Sequence, residues 1–522
     1  MQAGRPCGHP AQTGQIPFLA MPQIILATLN ARHLHPSLGL RYLAANMGEL
    51  QGETTVMEFT LEPRAEDIAE RLLLHHPKII GLGVYIWNVE PVTRLVAVLK
   101  AVSPETVLVL GGPEVSHEWI EQACVKTVDY LITGQADLCF ATLCRRLLGG
   151  ERPVERIIHA DPPSLDQIEL PYRFYSQTDI DHRLIYVEAS RGCPFRCEFC
   201  LSALDRTAWS FDIARFLQAL EDLLDRGARH FKFVDRTFNL NIRHSLAILD
   251  FFLGREEDDV FLHFEVIPDR LPGPLKTRLR CFPPGSLQLE IGIQSLDPPV
   301  QARINRRQDM TKTRDNLAWL RQETHAHLHA DLIIGLPGEG VNSFARGFDE
   351  LVKLAPHEIQ VGVLKRLRGT PIVRHTDDYC MRFSSYAPYE ILSNRDIDFS
   401  TMQRLKRFAR YWDMIANSGR FRTSLPVILE DQPYSRFMAF SDWIYETTGQ
   451  VHRIALKRLF ELVHAGVVQA LGGNPQSIGS ALGADWTSAG ARGLPNFLTS
   501  PRVQPAGQGA GVRNIQRQER FR

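Results

Sequence analysis

Two series of alternating strand-like and helix-like segments occupy most of this 522-residue chain. In the first series, over residues 21–150, short β-branched runs alternate with amphipathic helical runs. This alternation is typical of parallel strands joined by crossover helices. It predicts five strands, at residues 23–30, 54–60, 78–86, 106–110 and 129–133. We therefore expect an N-terminal domain built on a doubly wound parallel sheet.

The second series begins after a segment with several prolines, residues 151–178, which we interpret as a linker. It predicts six strands, at residues 184–189, 230–234, 261–266, 287–293, 327–334 and 358–364. Each of the first five is followed by a helical pattern, in units of roughly thirty residues. Because eight such units close a barrel, six units predict an incomplete one. We place this partial (β/α)6 barrel at residues 179–378.

The two ends of the chain differ from these series. From residue 379 the pattern becomes helical, as at 404–417 and 451–465, and predicts a small, mostly helical C-terminal domain at 379–470. Residues 1–20 and 471–522 are rich in small residues, Pro and Gln and lack apolar periodicity. We expect a disordered N-terminal extension and a disordered tail there. The predicted fold class is α/β: a doubly wound sheet, a partial barrel and a helical C-terminal domain.

Composition narrows the location and the partners of the chain. Lys+Arg and Asp+Glu both number 59, so no net charge attracts nucleic acid or an anionic membrane. The longest apolar stretch, residues 79–87, is about half of the ~20 residues that a membrane helix needs. No apolar segment follows a basic start, as in an export signal. We expect a cytoplasmic protein without a membrane or nucleic-acid partner.

The nine cysteines carry the chemical information. An odd count in a chain of this length, without an export signal, favours reduced thiols over a disulfide framework. Cys193, Cys197 and Cys200 lie together, directly after the first predicted barrel strand. This spacing places three thiols on one tight loop, where they can bind three corners of a cubane iron–sulfur cluster and leave the fourth iron open. A zinc site and a coincidence of core cysteines are the alternatives.

The Cx3Cx2C triplet, with Phe199 before its last cysteine and a six-fold β/α series around it, resembles the radical S-adenosylmethionine (SAM) superfamily. With a doubly wound domain in front, the chain resembles the branch that carries a cobalamin (B12)-binding domain. The helical end is similar to an uncharacterised C-terminal domain of one subgroup. The resemblance implies a [4Fe–4S] cluster, SAM and cobalamin as cofactors, a small-molecule substrate, and an electron donor such as flavodoxin or ferredoxin.

The resemblance also implies site residues at the carboxyl ends of the barrel strands. Polar residues there are typical of ligand sites. Asp235 is expected to accept from the amino group of SAM, and the loop that contains Gly335 is expected near the adenine. The full set of predicted SAM contacts is Phe199, Asp235, Glu265, Gln294, Ser295 and Gly335. No further catalytic residue is predicted, although polar side chains alternate at the barrel mouth, at His263, Glu265, Glu290 and His329.

For the front domain, the resemblance implies a corrinoid held by the strand-end loops, where doubly wound sheets bind ligands. The glycines in these loops allow a bulky ligand to approach the backbone. The alternative for any one loop is a plain turn with surface histidines. The chain has no Asp-x-His-x-x-Gly, so we predict no histidine as lower cobalt ligand. The predicted corrinoid contacts are Asn30, His33, His35, Ser37, Trp87, Asn88, Gly111, Gly112, Pro113, Glu114 and Gly134.

Three functional hypotheses follow. The first is a cobalamin-dependent radical SAM enzyme that acts as a C-methyltransferase. The second is a radical SAM oxidoreductase, isomerase or cyclase whose front domain binds no corrinoid. The third is a corrinoid or redox sensor without turnover. A methylthiotransferase is disfavoured because that group carries a second cysteine triplet in its front domain. The front-domain cysteines of this chain, Cys124, Cys139 and Cys144, fall on predicted helices instead of strand-end loops.

Overall fold

The computed structural model describes residues 22–255, 259–491 and 493–498. The extension predicted at 1–20 and the last part of the predicted tail, 499–522, lie outside the described residues. None of the described helices is both long and apolar enough to cross a membrane.

The front domain is a parallel sheet of six strands between two helical layers. Its strands are β1 (Ile24–Asn30), β2 (Thr54–Thr60), β3 (Ile79–Gly83), β4 (Val107–Gly111), β5 (Tyr130–Gly134) and β6 (Ile157–Ala160). Its helices are α1 (Leu38–Ala45), α2 (Ala65–Leu73), α3 (Val89–Val102), α4 (Ala123–Thr127) and α5 (Cys139–Leu148). Helices α1 and α5 share one apolar core with the sheet, and α2, α3 and α4 share the other. The strand order β2-β1-β3-β4-β5-β6 confirms a doubly wound sheet.

All five predicted strands of this domain are present, but the predicted linker is not a plain connection. Strand β6 lies within 151–178 and pairs in parallel with β5. The helix α6 (Gln177–His182) also begins there, with Ser176 and Asp179 forming a capping box. A four-residue edge strand is too short to show a hydrophobic period, so periodicity could not predict it. The front sheet therefore extends beyond the predicted boundary at residue 150.

The second sheet consists of six parallel strands and is open. After β7 (Ile185–Val187) comes a short antiparallel pair, β8 (Ser190–Arg191) and β9 (Trp209–Ser210). The sheet continues with β10 (His230–Phe233), β11 (Phe261–Val266), β12 (Leu287–Gln294), β13 (His327–Ile334) and β14 (Glu358–Val363). Its helices are α7 (Ile213–Asp225), α8 (Ile242–Leu253), α9 (Gly273–Cys281), α10 (Pro298–Arg303), α11 (Met310–Glu323) and α12 (Val341–Lys353). Within the described residues, β7 and β14 form the two edges of this sheet and do not pair with each other, which confirms the predicted partial barrel.

The C-terminal region continues the barrel instead of forming a core of its own. A small pair of strands, β15 (Arg382–Phe383) and β16 (Ile391–Ser393), precedes α13 (Phe399–Ile415), α14 (Leu425–Leu429), α15 (Pro433–Thr448) and α16 (Leu456–Gln469). The ring of Phe348 on α12 lies 5.0 Å from that of Phe408 and 4.8 Å from that of Trp412, both on α13. One buried cluster therefore runs from the barrel through these helices.

The prediction of a disordered tail from residue 471 is wrong for the first part of that segment. Helix α17 (Pro475–Ser488) lies there, with Asn474 as its N-cap. Its buried residues Ile478, Leu482 and Trp486 recur at every fourth position and join the main core. Their spacing is helical, but the Gly, Ser and Ala residues between them made the segment resemble a low-complexity tail.

Candidate cofactor site

The three predicted cluster cysteines lie in one loop, residues 192–208, between β8 and β9. We call it the cluster loop. Gly192 opens it with φ of +84°, and a Cβ at this position would lie 2.7 Å from the backbone nitrogen of Ala208. The backbone N–H of Cys193 donates to the carbonyl of Asp205 at 2.8 Å. The loop is thus closed at its base by contacts that a side chain on residue 192 would block.

Glu198, between the second and third cysteines, ties the middle of the cluster loop to the barrel. Its backbone N–H donates to Ile304, and its carbonyl accepts from Ile372. Its carboxylate accepts from His375 at 2.7 Å and from Arg374, and the residue is only 2% exposed. Sequence reasoning missed this role, although an acid flanked by two cysteines was visible and a buried carboxylate requires such partners.

The cysteines border a cavity of about 260 Å³ at the carboxyl ends of the barrel strands, which we call the cluster cavity. Arg306 donates to the Sγ of Cys197 at 3.5 Å. Burial raises the pKa of the Cys193 thiol to about 11, and burial also raises the pKa of Cys197, so bare thiolates are unfavourable there. Among the described residues, no three Cys, His, Asp or Glu side chains converge as one metal ion requires. Three thiols that bind three different irons do not need to converge, so the donor set fits a cubane cluster with an open iron.

Three of the six predicted SAM contacts border the cluster cavity: Phe199, Glu265 and Gln294. The structure does not bring the other three there. Asp235 is turned toward the segment that joins β7 to β8, where it accepts from the N–H of Ala189 at 3.0 Å and the hydroxyl of Ser190 at 2.5 Å. Burial raises its pKa to about 7. Its carboxylate therefore stabilises the junction between β7 and β8 in this structure, and its contact with SAM stays a prediction.

Ser295 and Gly335 likewise support the strand ends. The Ser295 hydroxyl donates to Glu339 and accepts from the N–H of Asp297. Gly335 lies against Ile391 of β16 and accepts from Asn394 through its carbonyl. The sequence identified the strand ends correctly but not the direction of each side chain, which depends on the neighbouring loops.

Charged side chains outside the predicted SAM contacts also line the cluster cavity, among them Arg236, Glu290, Arg306 and Asp331. Glu290 pairs with Lys232 at 3.1 Å and with His263 at 2.9 Å. Burial opposes its ionisation, but these two partners outweigh burial and lower its pKa. Burial, followed by the nearby Glu290 charge, raises the pKa of Asp331 to about 8. The cavity wall thus combines an ionised carboxylate with a carboxyl group that is protonated at neutral pH.

A second, larger cavity of about 840 Å³ lies between the front domain and the barrel mouth, and we call it the front cavity. This volume is within the range of about 300–1,000 Å³ that ligand sites occupy. Gly112, with φ of +114°, passes so close to Val84 that a Cβ would lie 2.4 Å from the Val84 carbonyl oxygen. Eight predicted corrinoid contacts line the cavity: Asn30, His35, Ser37, Trp87, Gly111, Gly112, Pro113 and Gly134. Its barrel side includes Tyr186, Glu188, Arg191 and Arg236.

Three predicted corrinoid contacts, His33, Asn88 and Glu114, do not line the front cavity. His33 is exposed, and its carbonyl accepts from Arg183 at 2.6 Å. Asn88 is fully buried and donates to the carbonyls of Leu29 and Gly83, which ties the ends of β1 and β3 together. These positions were predicted from strand-end loops alone, and the loops use them for structural contacts.

Glu114, the third of these, joins the front domain to the segment after β14. Its carboxylate accepts from Arg368 and from the hydroxyl of Tyr389, both at 2.7 Å. Glu118 extends the contact by pairing with Arg366 at 2.9 Å.

The loop after β5 fastens the front domain to the cluster loop. Arg191 donates to both carboxylate oxygens of Asp137, at 2.9 and 3.0 Å, and the amide of Gln135 donates to Asp205 at 2.8 Å. The Arg191 guanidinium also lies 4.5 Å from the centre of the Tyr42 ring. The glycine-led loop at 134–137 therefore positions the cluster cysteines relative to the front cavity.

Three protein-family models match the front domain, the barrel and the C-terminal region of the chain. The B12 binding domain model matches residues 24–143, the Radical SAM superfamily model matches 187–351, and a model for a protein of unknown function, DUF4080, matches 377–520. The chain is a radical SAM protein with an N-terminal B12-binding domain. These two domains imply a [4Fe–4S] cluster, SAM and cobalamin as its cofactors.

Individual relatives are distant. The uncharacterized methyltransferase PH0819 of Pyrococcus horikoshii is 26% identical over 239 residues, 41% of this chain and 51% of that protein. The cobalamin-dependent radical SAM methyltransferase TokK of Streptomyces tokunonensis is 25% identical over 344 residues, 57% of this chain and 48% of TokK. The chain thus spans about half the length of the curated relatives it matches.

A solved structure shares the fold over most of the chain. The apo, selenomethionine-labelled cobalamin-dependent S-adenosylmethionine radical enzyme OxsB has a TM-score of 0.60 and 14% sequence identity. The match covers 92% of this chain and 85% of that one. At this identity the likeness shows that both chains arrange their domains in the same fold.

Proposed function

We propose that the chain is a cobalamin-dependent radical SAM enzyme that methylates an unreactive carbon of a small molecule. The observation that carries the proposal is Arg236, which borders both the cluster cavity and the front cavity. A substrate at this boundary is within reach of ligands in both cavities. When bound, the [4Fe–4S] cluster supplies the electron that cleaves SAM to a 5′-deoxyadenosyl radical, and cobalamin supplies the methyl group.

The residues of the chain have separate tasks in this proposal. Cys193, Cys197 and Cys200 hold the cluster, and Arg306 compensates charge on the Cys197 sulfur. The carboxylates of Glu265 and Glu290, each paired with a basic side chain of the chain, give the cavity wall acceptors for the amino group of SAM. Gln294 and Phe199 also line the cluster cavity.

Arg236 separates the two ligand spaces. Its guanidinium pairs with Glu265 at 2.7 Å and is half exposed toward the cavities. This pair keeps a charged side chain at the boundary, so a polar group of the substrate has a fixed partner there.

Anaerobic reconstitution with iron, sulfide and hydroxocobalamin tests the proposal. After reduction with dithionite, we expect the signal of the one-electron-reduced [4Fe–4S] cluster in electron paramagnetic resonance, which is lost in Cys197→Ala. Absorbance should show about one corrinoid per chain. Dithionite and SAM should then yield 5′-deoxyadenosine. A cluster signal that persists in Cys197→Ala contradicts the assignment of the cysteines.

A variant of the front cavity separates the remaining hypotheses. Gly111 lines this cavity. A Cβ added at Gly111 would lie 3.6 Å from its nearest neighbour, the backbone oxygen of Ile132, so Gly111→Leu fills ligand space without a backbone clash. We expect this variant to lose the corrinoid and keep the cluster. 5′-Deoxyadenosine without any bound corrinoid in the wild type would support the oxidoreductase, isomerase or cyclase hypothesis. Bound corrinoid without any 5′-deoxyadenosine would support the sensor hypothesis.

A further inference from the structure

The loop between α10 and α11 packs directly on the cluster loop. The backbone N–H of Glu198, next to Cys197, donates to the carbonyl of Ile304 at 3.1 Å. Two residues further along, Nη1 of Arg306 donates to the Sγ of Cys197 at 3.5 Å. The backbone N–H of Arg306 donates to the carbonyl of Gln301 on α10 at 2.8 Å, which holds the loop itself. A backbone contact and a side-chain contact therefore meet at the second cysteine of the triplet.

Two further contacts fix the direction of the Arg306 side chain. Its Nη2 donates to the carbonyl of Gly292 near the end of β12, and its Nε donates to the side chain of Gln308 at 3.3 Å. The register between β12 and β13 shifts between Gly292 and Gln294. Such an irregularity disrupts the ladder of the sheet, so a side chain can bind the backbone there. A Cβ on Gly292 would lie 3.1 Å from Nη2 of Arg306, so the glycine leaves the space that the guanidinium uses.

The charge of Arg306 is directed at the cysteine sulfur and not at a carboxylate. Among the described residues, no carboxylate forms an ion pair with it. Glu265 and Glu290 are paired with other basic side chains, and Asp331 is protonated at neutral pH. Asp269 accepts from a backbone N–H at 3.0 Å. The charged and acidic side chains that line the cluster cavity together with Arg306 are Arg236, Glu265, Asp269, Glu290, Arg307 and Asp331.

A hydrogen bond from a cation to a cluster thiolate favours the reduced cluster. When the cluster accepts an electron, negative charge increases on its sulfurs, including the buried sulfur of Cys197. A guanidinium N–H stabilises that added charge more than it stabilises the oxidised state, and burial strengthens the effect because little water screens it. Hydrogen bonds to the sulfurs and net charge are among the factors that set the reduction potential of an iron–sulfur cluster.

We propose that Arg306 is a positioning residue that raises the reduction potential of the cluster through its hydrogen bond to Cys197. This inference rests on the cluster of the proposed function and does not depend on the methylation step. One electron passes from a one-electron reductant to the cluster, so the reductant is oxidised and the cluster is reduced by one electron. No proton moves, because the guanidinium stays protonated throughout. At a given potential of the reductant, a larger fraction of the clusters is therefore reduced.

The test is a redox titration of the reconstituted protein without SAM, with titanium(III) citrate as the reductant. Electron paramagnetic resonance measures the fraction of reduced cluster at each potential. Arg306→Gln removes the charge, Arg306→Lys keeps it, and Gly292→Ala keeps the guanidinium but displaces it with a Cβ 3.1 Å from Nη2. The matched control is Arg307→Gln, because Arg307 is the next residue of the same loop, also borders the cluster cavity and carries the same charge.

We expect Arg306→Gln to lower the equilibrium constant for reduction about tenfold, which is about 59 mV for one electron. Arg306→Lys should give a smaller loss, because lysine keeps the charge but not the planar fork that reaches both Cys197 and Gly292. Gly292→Ala should also give a smaller loss, because the displaced guanidinium stays near the sulfur. Arg307→Gln should keep the potential of the wild type.

An unchanged potential in Arg306→Gln would overturn the inference, and so would an equal shift in Arg307→Gln, which would show an effect of net charge alone. A shift that appears only after SAM is added would also overturn it, because Arg306 would then act on the carboxylate of SAM. Iron and sulfide contents show whether each variant holds the cluster. If Arg306→Gln holds none, the same comparison of Arg306→Lys and Gly292→Ala with Arg307→Gln decides. A wild type that assembles no [4Fe–4S] cluster would contradict the proposed function, and the inference with it.

Discussion

Gly192 stands where β8 turns into the cluster loop. Its φ is positive, and the backbone of Ala208 leaves no room for a side chain. We expect Gly192→Ala to fold but to hold far less cluster, because strain on the order of 1–3 kcal/mol displaces the loop. Iron and sulfide per reconstituted chain measure the loss, with far-ultraviolet circular dichroism as the test of folding. Gly273→Ala is the control, since no atom lies within 4 Å of its added Cβ. Full cluster content in Gly192→Ala would contradict this account of the loop.

Asp331 links pH to stability at the barrel mouth. Burial raises its pKa to about 8, whereas in the unfolded chain it titrates near 4. Between these values the folded state binds a proton that the unfolded state releases, so this carboxyl group costs more stability as the pH rises. We expect Asp331→Asn to raise the thermal midpoint of the apoprotein, more at pH 8 than at pH 5. A gain that does not depend on pH would show that the carboxyl is ionised in the folded chain.

The sequence predicts residues well where local spacing decides the role. The cysteine triplet and the glycine-led loops are read from neighbours along the chain, and the structure places them at two adjoining cavities. Asp235 and Asn88 were assigned to ligands because they follow strands, but each side chain turns back to bind backbone groups of its neighbours. No sequence pattern predicted Arg306 as a site residue, because it reaches the cluster cavity from the loop between α10 and α11, far from the cysteines in sequence.

At the scale of elements, helix α17 is the one whose contribution is most directly measurable. Leu482 is fully buried, so Leu482→Ala should cost about 2–5 kcal/mol. Because the helix shares its core with the barrel, we expect one shifted transition and not a separate early one. Thermal unfolding followed by circular dichroism checks this, with the exposed Ser488→Ala on the same helix as the control. A separate low-temperature transition would show that the C-terminal region unfolds independently.

Most strands could be predicted because strands and helices differ in the periodicity of their hydrophobic residues, and the two patterns alternate along the chain. Eleven of them, five in front and six in the barrel, appear near their predicted positions. Two of the elements that were not predicted, β6 and α17, share a physical reason. Strand β6 is too short to show a period, and α17 carries its apolar residues among small ones, so neither differs from a loop until tertiary packing is known.

At the scale of the molecule, a buried ionic network joins the front domain to the barrel. Glu58 pairs with Arg41 and Arg183 at 2.9 and 2.7 Å, and Asp179 pairs with the same two arginines at 2.8 and 2.9 Å. Burial opposes ionisation of Asp179, but Arg41 and Arg183 outweigh it and lower its pKa to about 2. The network thus favours the joined state wherever this carboxylate is charged.

Removing that charge tests the network. Asp179→Asn should cost on the order of 2 kcal/mol at pH 7, since a lowered pKa contributes stability above the unfolded value near 4. The difference from the wild type should shrink as the pH falls from about 5 toward 2. Urea unfolding at several pH values measures it, and Asp67→Asn, which breaks an exposed pair with Arg64, should change nothing measurable. A difference that stays constant between pH 5 and pH 2 would contradict the assigned pKa.

The contact of Glu114 and Glu118 with the segment after β14 has a consequence for the position of the front domain. The front domain is held by the start of the barrel at Asp179 and Arg191, and by the chain beyond its last strand at Arg366 and Arg368. A domain held by one contact can rotate about that contact, but a domain held by two separated contacts cannot. The front domain therefore cannot rotate about either contact without breaking the other. Its position over the barrel mouth is thus set by segments from both ends of the barrel sequence.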